Sequence, residues 1–250
     1  MAHNTLIFGG SGKVARHITR LLAAEGHNVY SIIRNPDQIP AIESLGGKPI
    51  VQSIECSSVD DFAQTIKENN VNAVIWSAGA GGGNPERTKT VDNEGAIKSF
   101  DATAKAGVKR FIMVSALDIR DRKGKPEPEW YDDDDRARSD RVWKAIGSYM
   151  EAKFTADRNL VTENGRRGLE FTIVRPGGLS EDPATGKVAA GKVHLGRMVP
   201  REDVAGVVVE CLRNQGTVGR VFDVVGGEVG IREAVEGVVR ERVDTFEGRY

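Results

Sequence analysis

Seven short runs rich in β-branched and other apolar residues recur along the chain, separated by segments of helical period. This alternation constrains the fold more than any other feature. The candidate strands are Thr5 to Phe8, Asn28 to Ile33, Pro49 to Ser53, Ala73 to Trp76, Arg110 to Ser115, Glu170 to Val174 and Val221 to Val225. Candidate helices cover Gly12 to Glu25, Val59 to Glu68, Gly95 to Ala106, Asp140 to Asn164, Arg201 to Asn214 and Ile231 to Val243. Runs such as VNAVIW and RFIMVSA are apolar at nearly every position, as strands covered on both faces must be. The pattern predicts an α/β chain with a mostly parallel, doubly wound sheet as its middle layer. The 250 residues contain no convincing linker, so residues 1–250 read as one domain with a small C-terminal portion shaping a cleft.

The first strand runs into LIFGGSGKVARHITRLL, Leu6 to Leu22, where glycines separate an apolar run from an amphipathic one. Gly9, Gly10, Gly12 and Ala15 follow a strand and start a helix, the context in which such glycines hold a dinucleotide. A tight turn needs glycine there, and the helix start offers free N–H groups and a positive dipole end to a pyrophosphate. Ser11 adds a hydroxyl, and Lys13 and Val14 complete the first turn. A Rossmann-type fold is the expectation, with a plain strand-to-helix turn as the alternative.

About twenty residues further on, an acid would accept hydrogen bonds from a ribose 2′-hydroxyl, whereas an arginine suits a 2′-phosphate. VYSIIRNPDQ places Arg34 there, so NADP(H) is favoured over NAD(H), and Lys13 or Arg16 can add charge. Glu55 contacts the adenine side or is simply an exposed acid. After the fourth strand, GAGGGNP (Gly79 to Pro85) is too glycine-rich for helix or strand, and it falls on the carboxyl edge of the sheet, where ligands sit.

IGSYMEAKFTADRNL contains Tyr149 and Lys153 at i and i+4, one above the other on a helix face. An ammonium beside a phenol favours the phenolate, which would make Tyr149 a usable general acid toward a carbonyl. Lys153 would also bond cofactor ribose hydroxyls, and Ser115, ending the fifth strand, would orient the substrate oxygen. A half-buried tyrosine beside a snorkelling lysine is the structural alternative.

The glycine loop, VDNEGAIKSFDATAKAGVKRFIMVSA, YMEAKFTADRNL and LEFTIVRPGGLSEDPATGKV together resemble the atypical short-chain dehydrogenase/reductases, NAD(P)-binding proteins of sugar epimerase or dehydratase type with NmrA-like neighbours. The resemblance covers most of the chain in the right order. It implies Gly9, Gly12 and Ala15 around the pyrophosphate, Arg34 on the 2′-phosphate, and Ser77, Ala78 and Gly79 alongside the cofactor. It further implies Ser115, Tyr149 and Lys153 as the catalytic set, with Pro176, Gly177, Gly178 and Leu179 near the nicotinamide. The function implied is an NADPH-dependent reductase of a small carbonyl or activated double bond. An NADP-using epimerase or dehydratase, or an NADP(H)-sensing regulator without catalysis, are the alternatives.

One segment departs from the family pattern. DIRDRKGKPEPEWYDDDDRARSD, Asp118 to Asp140, reads as a solvated, mobile acidic excursion that lengthens the interval between Ser115 and Tyr149. Its four aspartates lack the glycine and terminal glutamate of a calcium loop, and no metal site is expected. His194 and Arg197, in the segment after the sixth strand, either meet an anionic substrate or are solvated.

A formal net charge of −1 excludes the phosphate attraction of a strongly basic chain, so a small-molecule substrate is expected and nucleic acid is not. No apolar run approaches the ~20 residues of a membrane span. A predicted strand begins within the first few residues, leaving no room for a secretory signal. Cys56 and Cys211 are far apart without metal-type spacing, which suits a reduced, cytoplasmic setting. Either a monomer or a homodimer fits.

Overall fold

The computed structural model describes residues 3–81 and 84–249. Its central sheet has nine strands in the order β11-β8-β10-β6-β5-β4-β1-β2-β3. The parallel part is built from β1 (Asn4–Phe8), β2 (Asn28–Ile33), β3 (Lys48–Val51), β4 (Ala73–Trp76), β5 (Arg110–Val114), β6 (Glu170–Pro176) and β10 (Arg220–Gly226). These are the seven strands legible in the sequence. Four more were not: β7 (Leu179–Ser180) and β9 (Val199–Pro200) pair with each other, while β8 (Lys187–Gly191) runs antiparallel to β10 and to β11 (Val229–Gly230). With two to five residues each and no β-branched run, they carry too little periodicity to be read.

Period-two alternation explains the layering. In β1, Leu6 and Phe8 enter one core with Phe62, Trp76, Phe100 and Phe111, while Ile7 between them enters the other with Val14, Ile18, Ile75 and Val208. The first core lies under α3 (Val59–Glu68), α5 (Ala96–Lys105) and α6 (Asp133–Thr162); the second lies under α1 (Lys13–Ala24), α8 (Arg201–Arg213) and α9 (Ile231–Arg240). The sheet is therefore the middle layer, as its apolar strands require. Three short helices, α2 (Ile39–Glu43), α4 (Pro85–Arg87) and α7 (Asn164–Arg167), join these elements, and a π-helical stretch, Thr88–Gly95, leads into α5. None of the helices among the described residues is long and apolar enough to cross a membrane.

The 118–140 segment corrects the sequence expectation. Helix α6 begins at Asp133, not Asp140, because Asp132 caps it: its side chain accepts from the Asp135 backbone N–H while Asp135 accepts from that of Asp132. Asp133 and Asp134 then stand in the first turn, where the helix dipole favours negative charge. Asp118, Arg120 and Tyr131 upstream of the helix, and Ser139 within it, are buried. The Asp118 carboxylate accepts from Arg120, Tyr131, Ser139 and Trp143. Composition reads these charges as solvated because it cannot see that they satisfy one another.

Candidate active site

The glycine turn is shaped by neighbours as much as by any ligand. Gly9 has φ +77, and a Cβ there would lie 2.5 Å from the Ala78 Cα. A Cβ on Gly10 would meet the Ser31 Cβ at 2.4 Å, so Gly10 serves the packing of this turn on β2. Gly12 caps α1 without any side-chain hydrogen bond, and no acid stands in the first turn. Gly12 lines a cavity of about 230 Å³ together with Gly9, Ser11, Ser77, Ala78 and Gly79. An uncapped helix start and a glycine cradle fit a pyrophosphate. Ala15 is fully buried against the second core, and neither it nor Gly10 lines this cavity.

At the far end of the same cavity stand Arg34, Glu55 and Arg87. Glu55 lies between the arginines, 3.8 Å from Arg34 Nη1 and 3.3 Å from Arg87 Nε. Arg87 also donates to the Ala80 carbonyl at 3.0 Å. Glu55, placed by the sequence on the adenine side or in solvent, is thus a partner of both arginines. Arg87 was missed; its only sequence signal is its place just after GAGGGNP. Of that stretch, Gly82 and Gly83 lie outside the described residues. Lys13 faces the other way and pairs with Glu181 at 2.5 Å.

A second cavity, about 780 Å³, continues past Gly12, Lys13 and Val14 to Ser115, Tyr149, Lys153, Pro176 and Leu179. A third, about 560 Å³, shares Ser115, Tyr149, Pro176 and Leu179 with it and adds Gly177, Gly178, Leu117, Val142, Met150 and Met198. Ser115 and Tyr149 therefore stand where a cofactor-sized channel meets a mostly apolar cleft. A break in α6 shapes this junction, with Ile146 at φ −133 and ψ 33 one turn before Tyr149. Arg138 and Arg141 also line the cleft, and neither pairs with a carboxylate among the described residues. Arg197 lines a different, shallower hollow with Asp182 and Glu228. His194 bonds Asp135 through Nδ1 at 2.6 Å, tying the cleft wall to α6. Asp132, Asp135 and His194 come together with spacing that a metal ion accepts, but His194 and the Leu195 N–H already occupy Asp135.

The tyrosine and lysine do share one face, with the Lys153 ammonium 5.8 Å from the Tyr149 ring centroid. Two details depart from the sequence expectation. Burial outweighs the pull of Lys153 and pushes the Tyr149 phenol above its ordinary value, with Asp92 and Asp157 adding to the rise. Lys153 in turn is held by Asp92 at 3.2 Å and the Ala78 carbonyl at 3.3 Å. Burial opposes its charge, but Tyr149, Asp92 and Asp157 outweigh burial and hold its pKa above the ordinary lysine value. Asp92 also accepts from the Ala80 N–H at 2.9 Å, so one carboxylate fixes both the lysine and the loop after β4.

These features set a glycine-lined cavity at a helix start beside a tyrosine-lined cleft, an arrangement that fits a nucleotide. A family described as NAD(P)H-binding matches residues 9–215. The chain belongs to that family. It is 40% identical over 235 residues to UPF0659 protein C216.03 of Schizosaccharomyces pombe, covering 94% of both chains. It is 32% identical to YhfK of Bacillus subtilis, named an uncharacterized sugar epimerase, over 92% of this chain and 97% of that one. A solved structure from Bacillus halodurans, named for a NAD-dependent epimerase/dehydratase, superposes with a TM-score of 0.79 at 31% identity, covering 94% of this chain and all of its own. Membership in this NAD(P)H-binding family and the Rossmann-type fold are thereby established, consistent with the resemblance to the atypical short-chain dehydrogenase/reductases.

Proposed function

We propose that this NAD(P)H-binding protein is an NADPH-dependent reductase of a small carbonyl or activated double bond, with Ser115, Tyr149 and Lys153 as its working set. The observation that carries this reading is the shared position of Ser115 and Tyr149 on both the cofactor-side cavity and the apolar cleft. When bound, the nicotinamide would supply a hydride at that junction. Gly9, Ser11, Gly12 and the first turn of α1 would hold the pyrophosphate, and Arg34 with Arg87 the 2′-phosphate.

Tyr149, kept protonated by its burial, holds a proton at its phenol oxygen for the substrate oxygen. Lys153 makes that proton easier to give up, because its fixed ammonium attracts the phenolate left behind. Pro176, Leu179 and Met198 give the substrate side an apolar lining. The cleft's apolar walls favour a substrate with an apolar body.

An epimerase or dehydratase would use the same residues with the hydride returned to the substrate, and the names of the Bacillus relatives favour keeping this second reading. The test is loss of reduced-nicotinamide absorbance against a panel of ketones, enones and quinones, comparing the parent with Tyr149→Phe. Net oxidation by the parent and its collapse in the variant support the reductase. Equal rates sink the proposed acid, whereas tightly retained NADP with no net oxidation supports the second reading.

A further inference from the structure

Where β5 ends against α6, a buried acid stands behind the proposed proton-transfer set. Ser115 Oγ donates to Asp157 Oδ1 at 2.6 Å, and Asp157 has no solvent exposure. Its second oxygen, Oδ2, accepts no hydrogen bond, and Arg175 Nε stands 3.9 Å from it. That guanidinium is shared: it also lies 3.5 Å from Asp223 and donates to Ala116, Ile119 and Thr245. The other charged or titratable groups acting on Asp157 are Lys153 and Tyr149 on its own helix and Asp223 on β10, with Asp92 behind Lys153.

A hydroxyl has one hydrogen, and an ionised carboxylate only accepts. With Asp157 ionised, the Ser115 hydrogen is committed to it, and only oxygen lone pairs face the cleft. With Asp157 protonated, the acid donates to Ser115 Oγ and the Ser115 hydrogen is released to turn outward. We infer that Asp157 is a positioning acid whose protonation decides whether Ser115 offers the cleft a hydrogen or a lone pair. The inference rests on the reading above that Ser115 faces the substrate oxygen.

The consequence is a preference among ligands. A carbonyl oxygen only accepts, so it is served by the protonated acid; a hydroxyl product can donate, so it is served by the ionised one. No bond in the ligand changes in this step. A solvent proton reaches Asp157 through the Ser115 hydroxyl, and the same path returns it. Burial pushes Asp157 up to about 6, against Arg175, the Ser115 hydrogen bond and Lys153, which brings the switch within reach of neutral solution. Tyr149 and Lys153 are both shifted upward and do not titrate in that interval. Asp223, likewise pushed up to about 6, bonds Thr245 and faces Arg175, and it lines neither cavity.

The experiment uses the full chain and has two arms. An infrared pH titration follows the carboxylic-acid stretch that Asp157→Asn removes. Ser115→Ala should move its midpoint upward, because the ionised acid loses its donor. In parallel, kcat/KM for NADPH with phenanthrenequinone should fall about tenfold per pH unit above the parent's midpoint before levelling. Asp157→Asn should be flat and high, since its amide oxygen faces Arg175 while its NH2 donates to Ser115. A midpoint indifferent to Ser115→Ala, or a pH step surviving in Asp157→Asn, overturns the inference. A coupled midpoint with equal rates for the parent and Ser115→Ala supports the switch and overturns the assignment of Ser115 to the substrate oxygen.

Discussion

The Lys153 ammonium stands 3.2 Å from the Asp92 carboxylate, and both side chains are sealed from solvent. The lysine of the Tyr-x-x-x-Lys pair is therefore not a free charge waiting for a ligand. It is pinned, through Asp92 and the Ala78 carbonyl, to the loop that borders the glycine-turn cavity. Charge, loop position and tyrosine environment are set together by one buried ion pair. Removing one partner leaves the other unpaired in a dry interior, so Asp92→Ala should cost about 3–5 kcal/mol in urea denaturation. Asp92→Asn keeps an acceptor for the Ala80 N–H and should cost clearly less. Equal losses for the two would show that the charge of Asp92 is not what matters.

Tyr149→Phe removes only a hydroxyl from a ring that packs against the core. Turnover should fall by about 10²–10⁴ while NADPH affinity changes little. The sign of the phenol's shift adds a pH condition. A tyrosine raised above its ordinary value keeps its proton beyond the alkaline end of the usual assay range, so Tyr149 ionisation should produce no loss of rate below about pH 10. A Tyr149-dependent fall near neutrality would contradict the burial that raises it.

The parallel strands, the glycine turn and the i, i+4 pair were legible because each follows from local spacing. Leu6, Ile7 and Phe8 announce a two-faced strand, and Tyr149 and Lys153 announce a shared helix face. What was illegible depends on partners distant in sequence. Asp92 and Asp157 look like ordinary helix acids until the fold sets one beside Lys153 and the other beside Ser115. Arg87 gains meaning only when Glu55 joins it to Arg34. The 118–140 stretch misled for the same reason, since Asp118 and Arg120 are charges that cancel in space.

Glu55 occupies the arginines that would bind a 2′-phosphate, so its removal and theirs should act in opposite directions. Charge-assisted hydrogen bonds are worth about 1.5–3 kcal/mol, so Arg34→Ala and Arg87→Ala should each weaken NADPH by about 10- to 100-fold and NADH far less. Glu55→Gln should tighten NADPH, because the arginines lose a competing carboxylate. Titration calorimetry with both cofactors checks this. Equal losses for NADPH and NADH in the arginine variants would remove these residues from the 2′-phosphate.

Stability should rise as pH falls from about 6 to about 4, against the usual behaviour of buried carboxylates in ion pairs. Burial raises Asp157 and Asp223 from 3.8 to about 6, so the folded state binds protons more tightly than the unfolded chain between those values. Their ionisation penalty therefore builds up as pH rises through that window and is relieved on acidification. His194, raised by its bond to Asp135, works in the same direction: its contribution is present below the ordinary histidine value and is lost as pH rises through its folded one. Asp61, Asp121, Asp135 and Glu181, all lowered, act oppositely, but their contribution is lost only as pH falls from the ordinary carboxylate value through their lower folded ones. His27, lowered first by burial, opposes the rise as pH falls from the ordinary histidine value. The urea midpoint should climb most steeply between about pH 6 and about pH 4, and Asp157→Asn or Asp223→Asn should each flatten that rise. A parent midpoint that falls steadily over that interval would mean that these acids are ionised without penalty, and the buried row from Ser115 to Asp223 would have to be redrawn.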